Sequence, residues 1–285
     1  MKIILVPVAD RPECTVALDV AFELAEKFSA SVVGCHLRPH REEPGNGDDS
    51  RLLMAIEESG MQEVSKTTAA LNSRKAHELF TAISNQHNIV LAKKRRSSDK
   101  PLAYWQEMVG TPDRVMGITG PVSDLLVVSR PKKKARGPAR AFMLAALLNS
   151  GKPVLVLPQK KVSVGKRICI AWNQSIEAAR AVSAAMPLLQ RAESVHIVCA
   201  GPENAPGPKI SHLRNYLAIW GVEASSDTTR GHKPRKELLE QYRKHGSDLL
   251  VMGAYSRSHL RERILGGMTH DMLNEPKVSL FAVHS

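Results

Sequence analysis

Aromatic residues make up only 4% of this 285-residue sequence. That scarcity excludes a core of stacked rings. The interior must be built from Val, Leu, Ile and Ala, the residues that fill a sheet covered by helices on both faces. Cysteines are few: Cys14, Cys35, Cys169 and Cys199, with no C-x-x-C pair. Cys35, Cys169 and Cys199 sit in apolar, strand-like runs and read as buried reduced thiols, not as disulfides or metal ligands. No long apolar run is present. The longest, Phe142 to Leu148, falls far short of the roughly 20 residues of a spanning helix, so no membrane span is expected. The opening run Ile3 to Val8 is closed early by Asp10, Arg11 and Glu13. It reads as a first buried strand rather than a leader, which points to a cytoplasmic protein. Also missing are the G-x-x-x-x-G-K-[ST] phosphate loop, the nucleophile elbow and a His-x-x-x-His pair. The histidines are scattered, with no carboxylate or Cys at ligand spacing, so no metal is expected.

Charge is not scarce. Lys and Arg total 40 against 28 Asp and Glu, a formal net charge of +12. The clusters Lys93-Lys94-Arg95-Arg96, Lys132-Lys133-Lys134 and Lys160-Lys161 all fall in expected loops or linkers. No aromatics interleave with them, so the stacking platform of a single-strand binder is missing and no specific nucleic acid is expected. They read as solvated loops that attract a phosphate, an acidic partner or a membrane surface.

The main organising feature is an internal duplication. Ser123-Asp124-Leu125-Leu126-Val127-Val128 recurs as Ser247-Asp248-Leu249-Leu250-Val251-Met252. Ile3-Ile4-Leu5-Val6 parallels Ile168-Cys169-Ile170-Ala171, and each is followed by an Ala-rich helix and a second apolar run, Ser31 to His36 or Val195 to Cys199. Each half closes on a last strand, Val154 to Leu157 or Leu280 to Val283, and these two are candidate edges that meet.

In the first helix Ala17, Val20, Ala21, Leu24 and Phe28 form one apolar face. In its counterpart Ile176, Ala179, Val182, Met186 and Leu189 are expected to do so, with Ser175 as the cap and Pro187 kinking the last turn. The stretch from Asp49 to His87 reads as helix, with Leu52, Leu53, Ile56, Met61 and Val64 near helical spacing. Alternating strands and helices give an α/β fold: two tandem Rossmann-like domains, each an open parallel sheet of about five strands with helices on both faces. The domains expected are residues 1–160 and 165–285, joined by a polar link around Gln159-Lys160-Lys161.

In such a sheet the ligand position lies beyond the carboxyl ends of the strands, where strand order reverses. The second half is informative there. Gly253 ends a strand, and Gly266-Gly267 precede Met268-Thr269 at an expected helix start. A strand-end glycine admits close approach to the backbone, and bare amides at a helix start attract phosphate. Thr269 adds a hydroxyl and Arg257 a charge. The plain alternatives are that Gly253 relieves crowding between strand and helix, and that Gly266-Gly267 is a turn. Trp172 reads as a packing residue.

These residues resemble the universal stress protein family. Its ATP-binding members carry glycine, two residues, glycine, nine residues, glycine, then Ser or Thr. Here the series runs Gly253, two residues, Ser256, nine residues, Gly266, then Gly267. The spacing is kept, while Ser256 replaces a glycine and Gly267 replaces the hydroxyl residue. Asn173, in Ala171-Trp172-Asn173, stands at the family's Asp position and cannot supply its charge. By the same resemblance Val198 faces the adenine. The nucleotide-binding residues implied are Ala171, Trp172, Asn173, Val198, Met252, Gly253, Ser256, Arg257, Gly266, Gly267, Met268 and Thr269. In the first half Ala9 occupies the acidic position, Asp10 comes one place late, and Ser129-Arg130-Pro131-Lys132 replaces the glycine loop. That half is expected to be a partner domain without an adenine site.

The resemblance implies a cytosolic stress protein that binds ATP or a related adenine nucleotide, with or without Mg²⁺, in its second domain, and that acts in regulation or stress protection. The two halves would form an intramolecular pseudo-dimer, and a homodimer of the chain is a further option. The alternative is a ligand-free interaction module of the same family working through protein partners. No general base or nucleophile stands out, so at most weak ATP hydrolysis is expected, and fold alone does not license chemistry.

Overall fold

The computed structural model describes residues 1–38, 66–131, 138–161, 163–254 and 267–284. Its contacts divide the chain into two units, Met1–Lys152 and Pro153–Ser285.

The first unit has strands β1 (Ile3–Pro7), β2 (Ser31–Arg38), β3 (Val90–Leu91), β4 (Leu102–Val109) and β5 (Leu125–Ser129), in the order β3-β4-β2-β1-β5. All of its described pairings are parallel. Continuous runs such as Leu125 to Val128 are buried throughout, as a two-faced sheet requires. Its described helices are α1 (Pro12–Phe28), α2 (Lys66–Gln86), α3 (Pro112–Thr119) and α4 (Pro138–Asn149). Helix α1 starts with Pro, whose fixed φ suits a first turn. It buries Ala17, Val20, Ala21 and Leu24, and stops where Ser29 turns left-handed at φ 48°. Gly34 of β2 makes room for α2: a Cβ there would lie 2.7 Å from the fully buried ring of Phe80. The part of the expected middle helix before Lys66, including Leu52, Leu53, Ile56, Met61 and Val64, lies outside the described residues.

The second unit has β6 (Val154–Leu157), β7 (Arg167–Ala171), β8 (Ser194–Cys199), β9 (Ala224–Thr228), β10 (Leu249–Ala254) and β11 (Leu280–His284). Its order is β6-β11-β10-β7-β8-β9. Its described pairings are parallel except that β6 runs antiparallel to β11. The helices are α5 (Ile176–Leu189), α6 (Ile210–Ile219), α7 (Pro234–Lys244) and α8 (Gly267–Leu273). Ser175 caps α5, its hydroxyl accepting the Ala178 N–H at 3.1 Å. Pro187 lies within the helix, which runs on to Leu189. The buried face of α5 is Ala178, Ala181, Val182, Ala185, Met186, Leu188 and Leu189. Ile176 was expected on that face but is 67% exposed.

The duplicated Ser-Asp-Leu-Leu-Val segment has a physical reason. Asp124 accepts the Lys2 and Ile3 amides, and its own N–H donates to the Ile3 carbonyl at 2.9 Å. Asp248 does the same to β7, its Oδ1 accepting the amides of Gly165, Lys166 and Arg167 at 3.0–3.1 Å, with Ser163 Oγ donating at 2.8 Å to Oδ2. A carboxylate ahead of each last central strand thus fastens the start of the first.

Candidate functional site

In the second unit the chain leaves β7 for β8 and β9, then returns to β10 on the opposite side of β7. Strand order therefore reverses between β7 and β10, and a crevice opens beyond their carboxyl ends. It is a cleft of about 290 Å³. Ala171 at the end of β7 lines it, followed by Trp172 and Asn173. Val198 and Cys199 enter from β8, Met252 and Gly253 from β10, and Met268 from α8. Pro234 and Leu238 of α7 and the loop Ala200-Gly201-Pro202 complete the wall, with Ala205 beside them. Cys199 is buried and its thiol is pushed up by that burial. Among the described residues no carboxylate, histidine or lysine lines the cleft. It offers apolar walls and two amide side chains, which suits holding a flat, weakly polar ring better than acid–base work.

The floor is fixed by backbone bonds and two side chains. The Trp172 N–H donates to the Val198 carbonyl at 2.8 Å. Its indole N–H donates to the Pro208 carbonyl, also at 2.8 Å, and the ring is 3% exposed. Gln174, with φ 63° and 5% exposed, reaches across to the loop after β8. Its Nε2 donates to the Gly207 carbonyl at 3.2 Å and its Oε1 accepts the Ala205 N–H at 3.1 Å. The loops after β8 and β9 meet at glycines: a Cβ on Gly231 would lie 2.7 Å from the Gly201 Cα. Ahead of α7, Glu237 already accepts the amides of Gly231 and Lys233 at 2.7 and 2.9 Å. Sequence reading missed Gln174. Its one local sign is its place three residues beyond the end of β7, and the structure gives it a positive φ that is uncommon for a residue with a Cβ.

Of the residues singled out from the sequence, Ala171, Trp172, Asn173, Val198, Met252, Gly253 and Met268 come together around this one cleft. Asn173 is exposed, and its Oδ1 accepts the Ser175 N–H at 3.3 Å, leaving its Nδ2 as a donor. Gly253 has a packing reason of its own: a Cβ there would lie 2.6 Å from Ala178 N and from two atoms of Glu177. Gly267 has nothing within 4 Å of where a Cβ would sit. Thr269 is 5% exposed and does not line the cleft. Ser256, Arg257 and Gly266 lie outside the described residues.

The corresponding end of the first sheet holds a cavity of only about 50 Å³, between Val8, Ala9, Cys14, Val128, Ser129 and Phe142. The Ser129 hydroxyl donates to the Glu13 carbonyl there, drawing β5 against α1. A larger, open groove of about 800 Å³ lies in the second unit at the amino end of β8, beside Arg214 and Asn215 of α6. It is remote from the strand-order reversal.

No curated protein matches the sequence significantly. A family model, the universal stress protein family, matches residues 209–284. Solved structures share the fold over nearly the whole chain. A universal stress protein from Archaeoglobus fulgidus DSM 4304 aligns with TM-score 0.69 at 14% identity, over 99% of this chain and 98% of that one. A putative universal stress protein from Pseudomonas aeruginosa UCBPP-PA14 gives 0.58 at 15% identity, over 100% and 93%. A functionally unknown protein from Pseudomonas aeruginosa PAO1 gives 0.57 at 14% identity, over 100% and 92%. The chain therefore matches the universal stress protein family model over residues 209–284 and shares the fold of solved universal stress proteins over its whole length.

Proposed function

We propose that the second unit binds an adenine nucleotide, ATP or a close relative, with the base in the cleft and the phosphates toward the segment between β10 and α8. Mg²⁺ would accompany the phosphates. On this reading the chain is a cytosolic stress-response protein whose bound nucleotide alters the surface it offers to partners. One observation carries the reading: residues from three strand ends and one helix, separated by up to about 100 positions in the chain, surround a single apolar cleft at the point of strand reversal. Isothermal titration of the full chain with ATP and Mg²⁺ tests it. Saturable one-to-one binding is expected, weakened at least ~10-fold by Ala205→Trp, which fills the mouth from an exposed position. Absence of saturable binding at low salt refutes the reading.

A second reading is a ligand-free interaction module. It is favoured by Gly253, whose missing side chain is accounted for by the first turn of α5 with no ligand invoked. Small molecules released from the purified protein and identified by mass spectrometry separate the two readings. A stoichiometric adenine nucleotide argues for binding, and its absence together with a flat titration argues for the module.

A further inference from the structure

His196 of β8, Asp227 of β9 and His245, the residue after α7, are far apart in sequence, yet one ligand atom from each lies within 4.8 Å of the others. Asp227 Oδ2 stands 3.3 Å from His196 Nε2 and 3.3 Å from His245 Nε2. Bonds of about 2.0–2.1 Å to a tetrahedral Zn²⁺ place neighbouring ligand atoms about 3.3–3.4 Å apart, so both separations fit an edge of that tetrahedron.

His196 adds a second, independent sign. It is 5% exposed and its Nε2 is buried without a hydrogen-bond partner. Its other nitrogen, Nδ1, meets Ser225 Oγ at 2.7 Å. When the Ser225 hydroxyl donates to the Val195 carbonyl, 3.5 Å away, its oxygen is the acceptor and Nδ1 carries the proton. In the neutral ring Nε2 is then a bare lone pair aimed at a carboxylate oxygen. The buried Nε2 faces a part-exposed carboxylate that also lies 3.3 Å from His245 Nε2, and a cation between them would serve all three groups. An outer hydrogen bond that fixes the tautomer is also how ligating histidines are held.

We propose that His196 Nε2, Asp227 and His245 Nε2 bind a divalent transition-metal ion, Zn²⁺ in the first instance, with the fourth position left to water. Binding turns the His245 ring out of its parallel stack so that its lone pair converges on the ion. Lys244, 3.5 Å from Asp227 and with a side chain 64% exposed, swings away into solvent. The ion joins three elements: β8, the edge strand β9 and the end of α7. Strand β9 has the polar sequence Ala-Ser-Ser-Asp-Thr, with three half-buried and two exposed residues, so it gains most from such a staple. The site is separate from the nucleotide cleft, whose lining includes none of the three residues.

Titration of the chelator-stripped full chain with Co²⁺, read by visible absorption, tests the proposal. One Co²⁺ per chain, with the intense ligand-field bands of a tetrahedral site that Zn²⁺ then abolishes, is the expected result. Outer-shell changes alone cost metal sites 10–100-fold, so His245→Gln or Asp227→Asn should weaken binding at least ~100-fold. Both side chains are partly exposed, and circular dichroism verifies that these variants fold. Failure of the wild-type chain to bind stoichiometrically, a weak octahedral spectrum, or equal binding by both variants overturns the proposal.

Discussion

Replacing Gly253 by alanine tests whether that glycine serves packing or only ligand access. The added methyl carbon would sit 2.6 Å from Ala178 N and from the carbonyl carbon and Cβ of Glu177. Comfortable contacts between such atoms begin near 3.5 Å, so strand and helix must part by about 0.9 Å. None of these three atoms is the free end of a flexible side chain. Overpacking of this kind costs about 1–3 kcal/mol. Moving the first turn of α5 also strains the Ser175 cap, worth about 1 kcal/mol. A total near 2–3 kcal/mol, with a urea dependence of about 2 kcal/mol per molar, lowers the midpoint by about 1–1.5 M. Urea unfolding of the full chain followed by far-ultraviolet circular dichroism measures this. Gly267→Ala is the control. Its Cβ meets nothing within 4 Å, and alanine in a helix is favoured over glycine by about 0.5–1 kcal/mol. If Gly253→Ala unfolds within about 0.3 kcal/mol of the wild type, too little to register as a packing change, the packing argument is refuted. A loss of ATP binding at unchanged stability would then assign the glycine to the ligand.

Asp248→Asn should destabilise the chain by about 1–3 kcal/mol in urea unfolding, because an amide oxygen is a weaker acceptor for three backbone amides than a carboxylate. Phe80→Ala should cost about 3–5 kcal/mol in the same assay, since the ring is fully buried against β2. Trp172→Phe leaves the Pro208 carbonyl without its indole donor and should cost about 1–3 kcal/mol, with the loop after β8 exchanging amide hydrogens faster. His36 is buried, and that burial holds its ring below the ordinary histidine value. As pH falls the unfolded chain takes the proton first, so the His36 contribution is complete above about pH 6.5 and is lost as pH falls from there through the lower folded value. The urea midpoint should therefore be lower at about pH 5.5 than at about pH 7.5, and His36→Gln should narrow the difference.

The architecture was legible where burial on both faces forces a continuous apolar run, as in Ile3 to Val6 and Leu249 to Met252. The Ser-Asp-Leu-Leu-Val repeat was visible because the same carboxylate fastening is needed in each unit. Strands β4 and β9 escaped notice because they carry Gln106 and Glu107, or Ser225, Ser226 and Asp227, and so look like loop sequence. Ile176 was placed on the buried face by periodicity alone, and the structure leaves it exposed while the neighbouring Ala178 packs inward. Topology pointed to the strand ends and the family resemblance supplied the individual residues, and those described gather at the cleft, apart from Gly267 and Thr269. Gln174 could not be named, since its clamp depends on a loop that folds back from thirty residues downstream. The grouping of His196, Asp227 and His245 was equally hidden: neighbouring strands and a helix end bring them together, so no local spacing records it.

The two carboxylate fastenings set an order on synthesis. Asp124 reaches back 121 residues to Ile3, and Asp248 reaches back 81 to Arg167. Strands β1 and β7 occupy the middle of their sheets, yet one flank of each is supplied by chain made much later. A nascent polypeptide carrying only β1, α1 and β2 therefore leaves the ribosome with an apolar strand edge open, the state most prone to wrong pairing. That edge closes only after residues 124–129 emerge, so a pause before that point lengthens the exposed interval, and a pause after it does not.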